Sequence, residues 1–182
     1  MQAETPTSAF VTSAAEADIE TYFTALQWLH HEAELLDDNR ITEWFELIDQ
    51  DIDYRVPIRV TRERAAGPGF STDGWHMFED YGSLAARVAR LETEYAWAED
   101  PPSRTRRLVT NVRAARHGDG SLIEVKSNLL IYRGRYDAPE FNLIAGERHD
   151  TLRRSDDRIR LLKRMVLLDQ ATVATHNLAI FL

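Results

Sequence analysis

Apolar residues recur at helical spacing from Ile19 to Leu36, with Ile19, Tyr22, Phe23, Leu26, Leu29, Ala33 and Leu36 on one side. Ser13 followed by Glu16 has the form of a capping box, in which each side chain satisfies an orphan amide of the first turn, so the helix is expected to start there. A short second helix is expected from Ile41 to Ile48, with Trp44, Phe45 and Ile48 inward. The period then changes to two: Ile52, Tyr54, Val56, Ile58 and Val60 alternate, which predicts a strand. Pro57 removes one donor from that strand and places it at an edge or a bulge. Residues 62–76 contain Gly and Pro and read as a loop, and a third helix is expected from Asp80 to Leu91, with Leu84, Val88 and Leu91 inward.

Beyond Pro101–Pro102 the pattern is that of strands, over 106–116, 121–135, 141–154 and 159–168. HGDG (117–120), YDAPE (136–140) and SDDR (155–158) between them are short hairpin loops. Helices followed by an antiparallel meander predict an α+β domain, a curved, mainly antiparallel sheet around one long helix. Residues 1–12 read as a polar mobile arm and residues 13–182 as a single domain. Two segments exceed what one buried face requires. The run Leu161, Leu162, Lys163, Arg164, Met165, Val166, Leu167, Leu168 is apolar on both faces, which asks for a cover on its second face. Val173, Leu178, Ile180, Phe181 and Leu182 are an aggregation hazard if exposed, so burial is expected, against another chain or within the core.

Composition narrows the chemistry. The chain has 182 residues and no cysteine, which excludes disulfides, thiolate nucleophiles and cysteine-ligated iron–sulfur clusters. No basic stretch leads into an apolar run near Met1, and no apolar stretch is long enough to span a bilayer, so a cytoplasmic protein is expected. The net charge of −8 argues against nucleic acid, and Tyr132, Tyr136 and Phe141 form no stacking platform. From Arg104 to Arg164 there are 15 basic and 8 acidic residues, against 7 and 22 elsewhere, so the two halves can attract within one fold or between subunits.

Candidate catalytic groups are sparse. His30, His31 and Glu34 share one helix, but no third ligand follows at metal-binding spacing, so an ion-paired face is the better reading. Asp37, Asp38, Asp49, Asp51 and Asp53 read as caps and a solvated rim, and His76, His117, His149 and His176 are scattered. No nucleophile elbow, phosphate-binding loop or dinucleotide fingerprint occurs.

EAELLDDNRITEWFELIDQDIDYRVPIRVTRE (32–63), RLETEYAWAEDPPSRTRRLVTNVR (90–113), VKSNLLIYRGR (125–135), GERHDTLRR (146–154) and KRMVLLDQATVATHNLAIFL (163–182) together resemble the β, or small, subunit of aromatic-ring-hydroxylating dioxygenases. AEDPPSRTRRLVTN is the most specific run, and the chain is similar to naphthalene, biphenyl and polycyclic-hydrocarbon enzymes. The resemblance implies a cystatin-like cone of the nuclear transport factor 2 type, with helices packed on the sheet. It implies a hexamer of three α and three β subunits, with a Rieske [2Fe–2S] cluster and a mononuclear Fe(II) on α and no cofactor on β. Electrons from NADH would reach α through a reductase and a ferredoxin, and O2 would add to an aromatic ring to give a cis-dihydrodiol. The β chain would be structural, with no catalytic or metal-binding residue and no membrane or nucleic-acid partner. Its expected subunit contacts are Trp97, Glu99, Asp100, Pro101, Pro102, Ser103 and Arg104, a proline-stiffened loop with favoured anchors, together with Asn177, Phe181 and Leu182. The alternative is a stand-alone dehydratase, isomerase or hydrolase on the same cone, using Asp53, Tyr54 or His30 in an apolar pocket.

Overall fold

The computed structural model describes residues 18–61, 63, 69–91, 102–117, 119–135, 139–155, 158–173 and 180–182. Helix α1 (Ile19–Asp37) is capped by Asp18, whose carboxylate accepts from the Glu20 amide at 3.2 Å and the Thr21 hydroxyl at 2.9 Å. The capping box expected at Ser13 and Glu16 lies outside the described residues. The buried side of α1 differs in part from expectation. It runs through Thr21, Ala25, Trp28, Leu29, Glu32, Ala33, Leu35 and Leu36, so Leu29, Ala33 and Leu36 lie where expected, whereas Ile19, Tyr22 and Phe23 are exposed. The inward row is set partly by polar partners, because Arg116 donates to the Thr21 hydroxyl at 2.6 Å.

Helix α2 (Ile41–Phe45) stops short of Ile48, which opens β1 (Ile48–Arg59). Residues 70–76 of the expected loop belong instead to strand β2 (Phe70–Glu79). Helix α3 (Tyr81–Leu91) starts on a reciprocal cap, with the Ser83 amide on Asp80 and the Asp80 amide on Ser83. Then come β3 (Arg104–His117), β4 (Leu122–Gly134), β5 (Phe141–Ser155) and β6 (Arg158–Leu168), of which β4, β5 and β6 each run antiparallel to the strand before. The sheet has the order β2-β1-β6-β5-β4-β3 and is mixed, because β1 runs parallel to β6. Pro57 sits at a register shift between β1 and β2, so it marks a bulge and not the sheet edge.

Helix α1 lies against β3 and closes the core between helices and sheet. The apolar excess of β6 has a local cause. A bulge opposite Thr151 and Leu152 buries both Leu161 and Leu162, Val166 and Leu168 point inward, and the outward Met165 and Leu167 are only half covered. The core also takes in Ile180, Phe181 and Leu182.

Candidate functional site

The interior of the cone is charged. Glu32 on α1 is fully buried and accepts from Arg164 at 2.7 and 2.8 Å, from Arg148 at 3.0 Å and from the Trp44 indole at 3.2 Å. Arg164 on β6 also makes a two-pronged contact with buried Asp150 on β5, both bonds at 2.8 Å. Two arginines and two carboxylates thus neutralise one another in a dry space, the condition under which buried ions are tolerated. Burial pushes the Glu32 carboxyl up, but Arg164 and Arg148 outweigh it and hold that pKa at about 2. Burial likewise works against charged Arg164, and Asp150 and Glu32 more than offset it, so this guanidinium is held above its ordinary value. Arg148 is lowered by burial and by the positive charge of Arg164.

The segment 180–182 completes this interior. The Leu182 carbonyl accepts from the Tyr54 hydroxyl at 2.7 Å and from Arg164 at 2.9 Å, and the Leu182 amide donates to the same hydroxyl at 2.9 Å. The Phe181 ring stacks on Trp44 at 4.2 Å, and its carbonyl accepts from Arg107 at 2.7 Å. Asp37 pins the start of β3: it accepts from the Arg107 guanidinium at 2.6 Å, the Arg107 amide at 2.8 Å and the Thr105 hydroxyl at 2.9 Å. Phe181 and Leu182 are therefore buried within their own chain, where their carbonyls meet inward donors. Asn177, Trp97, Glu99, Asp100 and Pro101 lie outside the described residues. Pro102 and Arg104 are exposed where the chain enters β3, and buried Arg133 holds the intervening Ser103 with a 3.0 Å bond to its hydroxyl.

The groups expected of a stand-alone enzyme are kept apart. Tyr54 points into the filled core, Asp53 faces the other side of β1 and pairs with Arg55 at 2.5 Å, and His30 is exposed on α1. Asp49 and Asp51 both hold Arg153, at 2.8 Å each. Among the described residues, no three His, Cys, Asp or Glu are grouped to hold a metal ion. The arrangement can bind and orient its own segments, and every carboxylate at its centre is already engaged by an arginine. Sequence reasoning passed over Glu32, Arg107, Arg133, Arg148, Asp150 and Arg164. A signal was present for the pair on β5: Ile144, Arg148, Asp150 and Leu152 share one strand phase, so the charges fall in step with apolar core positions.

The family described as the ring hydroxylating beta subunit matches residues 31–175. The β subunit of an N,N-dimethyl phenylurea N-demethylase from Sphingobium sp. (strain YBL2) is 39% identical over 177 residues, which is 94% of this chain and 97% of that one. A chain of naphthalene 1,2-dioxygenase, solved with indole in the active site, superposes with a TM-score of 0.81 at 27% identity, covering 91% of this chain and 87% of that chain. The β subunit of benzoate 1,2-dioxygenase from Burkholderia mallei shares the fold, with a TM-score of 0.60 at 22% identity over 80% of this chain and 88% of that one.

Proposed function

The chain belongs to the ring-hydroxylating β subunits, and on that premise we propose that it is the structural, non-catalytic base on which a larger α subunit carries out the oxidation. The observation that supports this most directly is the filled cone: the space a small-molecule pocket would need is occupied by residues 180–182 and by paired charges. With no cysteine in the sequence, a Rieske [2Fe–2S] cluster would have to sit on the α subunit, and the mononuclear iron is assigned there with it. The proposed assembly is a cytoplasmic hexamer of three α and three β chains, reduced by NADH through a reductase and a ferredoxin. Among the described residues, no helix is long and apolar enough to cross a membrane.

The reaction assigned to the complex is cis-dihydroxylation of an aromatic ring, in line with the relative named for naphthalene. A second reading, oxidative N-demethylation of an aryl urea, is favoured by the name of the 39% identical relative. The α subunit is proposed to dock on the loop of Trp97, Glu99, Asp100, Pro101, Pro102 and Arg104, whose last two residues are exposed. Co-purification with the larger chain tests the whole proposal. The expected complex contains iron and oxidises naphthalene or N,N-dimethyl phenylurea, while the chain alone is colourless. A Trp97→Ala, Arg104→Ala double variant should fold yet elute without the larger chain. An unchanged complex on gel filtration removes the loop from the interface, and turnover by the lone chain refutes the structural role.

A further inference from the structure

Three buried polar atoms inside the cone have no hydrogen-bond partner among the described residues: the Ser127 Oγ, the Arg148 Nε and the Arg148 Nη2. Both side chains point inward, with Ser127 0% and Arg148 1% exposed. The two residues stand directly opposite each other on β4 and β5. Residues so paired hold their Cβ atoms about 5 Å apart, so the hydroxyl and the near end of the guanidinium share one neighbourhood.

Arg164 shows how this interior satisfies a guanidinium. Its Nε and Nη2 close as a fork on the Asp150 carboxylate, both bonds at 2.8 Å, and its Nη1 reaches Glu32 and the Leu182 carbonyl. Arg148 commits only Nη1, to Glu32 at 3.0 Å. Its own Nε–Nη2 edge, which suits an anion held by two parallel bonds, meets no protein acceptor. An unpaired buried donor is costly, more so on a charged group. Burial and the positive charge of Arg164 already work against charged Arg148.

The unmet groups are mainly donors. Two N–H groups and a hydroxyl can all donate, and only the hydroxyl oxygen can accept. A water would bring two hydrogens to one acceptor. An anion accepts from all three and brings no hydrogen of its own. We propose that Ser127 and Arg148 form an internal site for a small monovalent anion of the halide class. The rest of the cone is packed with side chains and residues 180–182, and an ion of one atom asks for the least room. The ladder beside Ser127 is broken: between the pairs Thr110–Asn128 and Arg113–Lys126, Asn111 and Val112 oppose Ser127 alone, and Asn111 has φ 53°. A bulge of this kind leaves a residue out of the ladder and gives the ion a local path inward. The site lies within one chain, so it stands apart from the proposed role beside a larger subunit.

The test melts the full chain in bromide at fixed ionic strength, the balance made up with gluconate, which is too large to enter. The melting temperature should climb by about 3–6 °C for each tenfold rise in bromide above its dissociation constant. Ser127→Ala removes one donor and should shift that dependence to about tenfold higher bromide or more. A parent curve that stays flat overturns the inference, as does a rise that is equal in parent and variant, which marks a general salt effect. A crystal of the parent grown in bromide locates the ion. Anomalous scattering should peak within bonding reach of the Ser127 hydroxyl and the Arg148 fork. Peaks confined to the surface, or a water refined in that place, refute the site. The crystal needs no substitution, so it decides the matter even where Ser127→Ala fails to fold.

Discussion

Replacing Glu32 by Gln keeps the shape of the side chain and removes its charge. Arg148 and Arg164, both fully buried, would then share the single carboxylate of Asp150. Removing one partner of a buried ion pair costs about 3–5 kcal/mol, because the other charge stays behind without compensation. An independent route gives a similar size. Glu32 titrates at about 2 in the folded chain against 4.5 for the free group. That difference corresponds to about 3 kcal/mol of stability, since each pKa unit is worth about 1.4 kcal/mol. The pKa is depressed on folding, so this contribution is complete above pH 4.5 and is lost as the pH falls toward 2. For a chain of this size each kcal/mol moves the melting temperature by about 2–4 °C, so Glu32→Gln should melt roughly 6–20 °C lower at neutral pH. Melting curves by circular dichroism between pH 2 and 7 check both halves. The parent should lose stability below pH 4.5, and the variant should lose markedly less over the same interval. A variant within about 2 °C of the parent at neutral pH would refute the idea that the buried charges act as a unit.

Two further substitutions probe the packing around that centre. Phe181→Ala removes the ring stacked on Trp44 and should destabilise the chain by about 3–5 kcal/mol, read as a lower urea midpoint. Gly146→Ala would place a methyl 2.8 Å from the Leu167 carbonyl of the neighbouring strand, so β5 and β6 must part locally; a loss of about 1–3 kcal/mol by the same assay is expected.

The meander was legible because β3 to β6 alternate over long stretches and their turns carry Gly, Asp and Pro. Strand β2 was not. Its first half, Phe70, Ser71, Thr72, Asp73 and Gly74, has no alternation, and it bulges between the pairs Phe70–Arg59 and Trp75–Pro57 with β1. The inward face of α1 was misjudged because helical periodicity counts apolar side chains, and Thr21 and Glu32 are buried by the arginines they meet. The same blindness hid the interior charges. A pattern of polar and apolar letters treats an arginine as surface, although Arg133, Arg148 and Arg164 are each about 1% exposed. Only the three-dimensional pairing tells such a residue from its solvated neighbours. The segment 180–182 was recognised as needing burial, but its partner could not be read, since Tyr54 and Arg164 are remote from it along the chain.

That remoteness bears on how the molecule is made. The bonds between Tyr54 and Leu182 span 128 residues, and contacts so distant in sequence form only after a long loop has been closed. The helices and most of the sheet can assemble while the chain is still growing, but the charged centre lacks the Leu182 carbonyl and the Phe181 ring until those residues have been synthesised. Residues 180–182 thus enter the core through long loop closures, which makes the charged centre a late event in folding.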